Sequence, residues 1–556
     1  MRNSKALIFL LLLTGVVYCN SLFSGFVWDD RPLIIERQAF FSQPRNALEL
    51  LVSSDSDFRN VKTPYYRPLN TLTYMLDHYL WGGKNPFWYH LENVLLHGVV
   101  AALFYMLLIE VFEDGRLAFF AAVLFAIYPA NAEAVDAVFN RNVLLCAAFS
   151  LASLLFLVKG GLKWVILSLF AYFLALLSKE PAVVVPFFLL SLRLTAREEK
   201  FKTNWKALAG FFGVTAVYFI IRHLVLGAFI AGHGTGFSLS RVKLITAVYF
   251  EHFRLLVFPF RLNALYTEKA ISFNPLKAAA AISGMLLVLY FSLKKKIPGP
   301  VRAGAQWIFW GLLPVSNIVK IPSAAVAERY QYTIIFGFVL ILGYLVDGLS
   351  RKKAALGVAA FAALAIAFGA RTFERNFVWH DNISLFSSMI SSDPENHLAH
   401  YDLCLAYEKR GELQDAAGQY ETALALEPSM ASARTDLGIV YAEEGHLEKA
   451  MQEFKAALAT DPDLAKARLN LGVAYAREGR FDDAVRQFRT AVNLAPSMPE
   501  AHFALGAGYE KEGLFGEAAT EFKKVVELDP GNTRTIEKLD HIKSQGQQRT
   551  ARNHEE

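Results

Sequence analysis

The chain divides by the rhythm of its apolar residues. Up to about residue 371, long apolar runs alternate with short loops; beyond about 380 no such run occurs, and apolar positions recur at helical spacing among Ala, Glu, Lys and Gly. A membrane-crossing helix needs about 20 mostly apolar residues. Runs near 5–22, 88–112, 116–131, 141–159, 161–178, 180–195, 205–226, 276–293, 303–320, 329–348 and 353–371 fit that pattern. The run 244–260 differs, because Glu251, His252 and Arg254 at its centre are costly in lipid. It is expected to be an interfacial or re-entrant helix at the outer face. With eleven spans, Arg193–Lys206, Lys294-Lys295-Lys296 and Arg351-Lys352-Lys353 share the cytoplasmic side with Arg2 and Lys5. Everything from 372 onward then lies outside. The expected fold is all-α: a polytopic transmembrane bundle of about 11 spans over 1–371, a linker at 372–396, and a soluble helical region.

That soluble region repeats. Pro394, Pro428, Pro462, Pro496 and Pro530 stand 34 residues apart, as do Gly411, Gly445, Gly479 and Gly513. Leu403, Leu437, Leu471 and Leu505 share the period, as do Tyr407, Tyr441, Tyr475 and Tyr509. The period with Leu-Gly-x-x-Tyr, Ala and a closing Pro resembles the tetratricopeptide repeat, an α-solenoid. Four repeats cover 397–430, 431–464, 465–498 and 499–532, with Cys404 where the pattern has Gly. Residues 533–545 are expected to cap the stack, within a terminal segment 533–556 whose tail is expected to be disordered. The concave face of such a solenoid suits an extended peptide or a partner protein; a spacer role is the alternative.

Composition adds limits. The net charge is +5, with no basic stripe interleaved with aromatics, so no nucleic-acid partner is expected. Cys19, Cys146 and Cys404 are scattered and suggest neither a disulfide framework nor a metal site. The first span reads as an uncleaved anchor rather than a signal peptide. The sequon Asn382-Ile383-Ser384 decides nothing about compartment.

Chemistry collects on the outward side. Trp28-Asp29-Asp30 follows the first span, in a loop that also holds Tyr65-Tyr66-Arg67, Asp77 and His78. The two acids suit deprotonation of a hydroxyl or metal binding, or else form a solvated turn. Glu133 and Asp136 occupy the second outward loop, and Arg141 opens the next span; Glu133 and Arg141 meet a substrate or pair with each other. Lys179-Glu180-Pro181 and Glu328-Arg329-Tyr330 put cations at two more outward helix ends. There they suit a phosphate, or serve as interfacial anchors. His90, Asn93 and His97 share one helix face, where structural hydrogen bonding is the plainer reading.

The stretches FVWDDRPLI, YYRPLNTLTYMLDHYLWG, PFWYHLENVLLH, AIYPANAEAVDAVFNRNVLL, LLSKEPAVVVP and AERYQYT resemble, in that order, the GT-C superfamily of glycosyltransferases. More closely, the chain resembles the transmembrane-and-tetratricopeptide O-mannosyltransferases. The resemblance implies an inverting enzyme that moves a monosaccharide from a polyprenyl-phosphate donor to Ser or Thr of exported proteins, with the repeats binding the acceptor. It assigns catalytic roles to Asp29, Asp30 and Glu133, and donor-phosphate binding to Arg141, Lys179 and Arg329. Arg67, His90, His97 and Glu328 are supporting. A divalent ion on Asp29, Asp30 and Glu133 is an open alternative, and no other cofactor is implied. Tyr128 stands where the family often has His. The short repeat array points to a bacterial inner membrane, with the N-terminus cytoplasmic and the repeats periplasmic. The competing reading is a non-catalytic, membrane-anchored scaffold for envelope assembly.

Overall fold

The computed structural model describes residues 2–52, 65–195, 204–227, 238–267, 271–318 and 324–552. The inner-loop stretch 196–203, residues 321–323 of the late outward loop and the tail 553–556 lie outside the described residues. The chain is helical with no strand among the described residues; one antiparallel bridge joins Tyr266 and Val326. It forms two compact units, Met1–Asp393 and Pro394–Glu556.

In the first unit every expected span coincides with a helix, but the helices differ in length. Pro86–Phe112, Val138–Lys159, Trp205–Leu226, Pro275–Leu293 and Ala354–Trp379 are long and apolar enough to cross a bilayer alone. A sixth crossing results if Gly115–Ala126 and Pro129–Asp136, bent by 54° at Pro129, count as one. Leu162–Ser178 and the first helix are shorter. Residues 244–260 fall mainly in the helix Leu239–Val257, which buries Glu251 and His252. His252 Nδ1 lies against the Gln331 amide, so that helix packs through polar contacts.

Pro86–Phe112 lies at the centre, packed by the first helix, Gly115–Ala126 and Arg141–Lys159. Lipid lends no hydrophobic drive to helix association, so close backbone approach by small residues matters. A Cβ on Gly304 would lie 2.6 Å from the Gly337 carbonyl oxygen, so the helices Gly299–Leu312 and Ile335–Lys352 meet at these glycines. At the rim, Leu276 (81% exposed) and Ile366 (71%) face outward as lipid-facing side chains do. Residues 376–393, in the expected linker, belong to this unit: Trp379 is buried, and Asn382–Ser392 is a helix anchored by Leu385, Phe386 and Met389.

The second unit is a stack of paired helices from His397–Arg410 to Phe515–Leu528. Gly411, Gly445, Gly479 and Gly513 adopt φ of +75° to +86°, the left-handed turn between paired helices that glycine takes without steric cost. Cys404 is tolerated at the glycine position, fully buried with its thiol on the His400 carbonyl. The closing helix Thr533–Arg552 runs past the expected cap, and its Leu539 and Ile542 cover Phe522.

Candidate active site

The loop after the first helix is shaped by one strained residue. Trp28 has φ +48°, a left-handed conformation that costs a side-chain-bearing residue about 1–2 kcal/mol. Its N–H donates to Asn382 Oδ1 (2.8 Å), and its ring lies edge-on to Phe139 and Phe386. The Gly25 N–H donates to the His380 carbonyl (2.9 Å). The turn sends two consecutive acids in opposite directions. Asp29 is exposed, while Asp30 is fully buried and accepts the N–H groups of Val27 (3.0 Å) and Phe139 (2.6 Å). Burial pushes the Asp30 carboxyl up to about 7 despite those donors, and the Asp29 charge adds to the rise. Asp30, expected to be catalytic, is thus a buried tie between the first two loops.

Glu133 is also fully buried. Its carboxylate accepts the Arg329 backbone N–H (2.7 Å) and pairs with the Arg329 guanidinium. Burial disfavours the Arg329 cation, but Glu133, Tyr330 and Asp29 together more than offset it. Glu328, one residue earlier, turns the other way and pairs with Arg375 (2.9 Å) at the end of the last apolar helix. The short turn Glu328–Tyr330 therefore fastens the late loop to both the second loop and that helix end.

Lys179 lies beside this pair. Burial lowers its ammonium well below the usual lysine range, and Arg67 and Arg329 lower it further. Arg67 stacks on Tyr65 (4.2 Å) and donates to Glu180 (2.8 Å), which Arg222 also reaches at 3.4 Å. Burial would raise the Glu180 carboxyl, but Arg67 and Arg222 more than offset it and hold it low. Lys179, Arg67, Arg222 and Arg329 thus lie among Glu133, Glu180 and Asp29. An anion placed here would favour the charged form of Lys179.

Lys179 and Arg329 line a small cavity with Cys146, Pro181, Gly311 and Thr333. Those last four residues also line a second cavity, whose Phe188, Trp307 and Phe336 line a third of about 700 Å³. The largest is walled mainly by apolar side chains and reaches Gly160, Gly161 and Lys206.

Arg141, expected beside the phosphate, stands elsewhere. It is 2% exposed, pairs with Asp77 and with Glu92 (3.1 Å), and donates to Asn93 Oδ1 (2.9 Å) and the Tyr89 carbonyl (3.2 Å). Its N–H groups are engaged inside the protein, and the expected Glu133–Arg141 alternative is not formed. The Asn93 amide reaches the Val135 carbonyl (3.1 Å). His97 accepts from the Tyr332 hydroxyl (2.7 Å) and donates to the Ala126 carbonyl (3.0 Å), while His90 donates to Gly25 (3.3 Å). These histidines brace loops. Among the described residues no three His, Cys, Asp or Glu side chains gather as a metal cluster, and Asp30 faces away from Asp29.

Three contributors went unread in the sequence. Arg222 was legible in principle, as a lone cation in the apolar helix Trp205–Leu226. Arg375 and Asn382 carry no local signal, because only the fold brings them to Glu328 and Trp28.

The architecture defines a class: polytopic membrane proteins that end in tetratricopeptide repeats, whose repeat-family model matches residues 389–465 and 469–533. Within that class the chain is similar to curated protein O-mannosyl-transferases. Protein O-mannosyl-transferase F38B6.6 of Caenorhabditis elegans is 27% identical over 446 residues, 76% of this chain and 63% of that one. TMTC3 of Mus musculus is 34% identical over 33% of this chain and 21% of its own length. TMTC4 of Mus musculus is 26% identical over 65% and 58% respectively. The chain therefore spans less than two thirds of each of these relatives. Among solved structures, the crystal structure of MamA is 23% identical over 30% of this chain, with a TM-score of 0.26.

Proposed function

We propose that the chain is an inverting glycosyltransferase that moves a monosaccharide from a polyprenyl-phosphate donor to Ser or Thr hydroxyls of proteins. The observation that carries this reading is an exposed acid, Asp29, in the electrostatic reach of a cluster of basic side chains that borders a run of apolar cavities. Mannose is the proposed sugar, because the relatives are named for it. The phosphate sits against Lys179, Arg329 and Arg67, and the polyprenyl chain occupies the cavities past Trp307. Asp29 takes the proton of the acceptor hydroxyl as its oxygen bonds to the anomeric carbon and the bond to the phosphate oxygen breaks. The phosphate leaves without protonation, its new charge stabilised by the cations. Glu133 acts through Arg329 as a positioning residue. The transmembrane unit 1–371 carries the chemistry, and the repeats 397–532 hold the acceptor polypeptide. The site faces the periplasm of a bacterial inner membrane, with the N-terminus cytoplasmic.

The test is single-turnover transfer from a panel of polyprenyl-phosphate sugars to acceptor peptides, with wild type and Asp29→Asn. Transfer by wild type alone supports the reading. No transfer by either protein, in verified folded samples with several acceptors, overturns it in favour of a membrane-anchored scaffold.

A further inference from the structure

The turn that aims Asp29 is held from far along the chain. The Trp28 N–H donates to Asn382 Oδ1, across 354 positions. Asn382 opens a helix whose own start is fixed by Asp381 Oδ1, which accepts the Ser384 N–H at 2.8 Å. Below it Leu385, Phe386 and Met389 are buried, and Phe386 also meets the Trp28 ring at 6.4 Å. The parallel tie from Gly25 to the His380 carbonyl makes the contact two-pronged. A left-handed tryptophan persists only where its surroundings over-determine it, and here those surroundings are Asn382, Phe386 and Phe139.

We propose that Asn382 is a positioning residue for Asp29: its amide oxygen holds Trp28 in the left-handed turn that presents Asp29 to solvent. The inference rests on Asp29 being the base. It also gives the Asn382-Ile383-Ser384 sequon a role in the fold. The segment His380–Ser392 is then a strut of the transfer site rather than a tether to the repeats.

The test uses the full chain in detergent or nanodiscs. Asn382→Ala removes the acceptor, and Asn382→Asp keeps one. Hydrogen exchange of the peptide containing Trp28 reads the turn whether or not sugar moves, and transfer kinetics read the aim of Asp29. Asn382→Ala is expected to speed that exchange about tenfold and lower kcat about tenfold, with the donor KM within about twofold of wild type. Asn382→Asp is expected to restore both. If Asn382→Ala does not accumulate, Asn382→Leu removes the acceptor at nearly the same volume and carries the same expectations. Wild-type exchange in the acceptor-less variant, or fast exchange with unchanged kcat, overturns the proposal. Asp29→Asn, run alongside, separates the two ideas: full transfer by that variant removes Asp29 as base, while the exchange data still report whether Asn382 holds the turn.

Discussion

Two ionic clusters lie beneath the loops that follow the first and third apolar runs, and they differ in what is left over. Around Arg141 the donors are used up: Asp77 and Glu92 pair with the guanidinium, Asn93 and the Tyr89 carbonyl take its remaining N–H groups, and the nearby Asp30 accepts two backbone N–H groups. Around Lys179 and Arg329 the basic side chains border apolar cavities, Asp29 is exposed, and the Lys179 ammonium is pushed well below the usual lysine range. The first arrangement engages its guanidinium inside the protein; the second leaves basic side chains along a cavity wall. A charged residue at an outward helix end is therefore no guide to function until its partners are counted.

The largest effects should separate the clusters most cleanly. Asp29→Asn is expected to lower kcat about 10²–10⁴-fold, the range of a lost general base, with the unfolding temperature unchanged because the side chain is exposed. Wild-type kcat in that variant would erase the distinction. In the closed cluster, Arg141→Met strands buried Asp77, so a loss of about 3–5 kcal/mol of stability is expected, seen as lower yield and a lower unfolding temperature. If that variant is stable but binds donor poorly, the assignment of the two clusters reverses.

Asp30→Asn should cost about 1–3 kcal/mol, since one of its two N–H donors would then face an amide NH₂. The pH dependence of stability sharpens this. The Asp30 carboxyl titrates at about 7 when folded and near 3.8 when unfolded, so between those values the native state holds the extra proton. Stability is thus fully present at low pH and falls as pH rises through 7, and Asp30→Asn should flatten that part of the profile. Thermal melts from below pH 3.8 to above pH 7, the window those values set, check the sign. The smallest effect expected is at Lys179. Because its ammonium titrates below the ordinary range, donor kcat/KM should fall as pH rises below 10.5, and Lys179→Arg should remove that dependence.

Much of the fold was legible because the relevant signals are local and periodic. The 34-residue columns specify paired helices through Leu, Tyr, Ala and the turn glycines. The apolar runs each became helices, because a span must satisfy its own backbone hydrogen bonds. How many cross the bilayer is less local: Gly115–Ala126 breaks at Pro129, and Leu162–Ser178 is short. At the candidate site, the sequence supplied the right loops but not the roles within them. Asp29 and Asp30 are neighbours of one chemical type, and a single left-handed residue decides which meets solvent. Glu133 and Arg141 are eight positions apart, yet each pairs with a residue from another part of the chain.

The sequence alone determined the all-α class, the repeat period, the outward loops that carry acids and cations, and the likeness to O-mannosyltransferases. The class, the period and the charged loops follow from spacing within a few dozen residues, where helix geometry converts position into face, and the likeness rests on the resemblance of short stretches in order. Only the tertiary structure decided that the Arg141 donors are engaged inside the protein, that Asp30 is buried, and that Lys179, Arg329, Arg67 and Arg222 gather in one cluster. Pairing and burial depend on partners up to hundreds of positions away, and the cost of leaving a buried charge unpaired makes those partners, rather than residue type, decide what each side chain does.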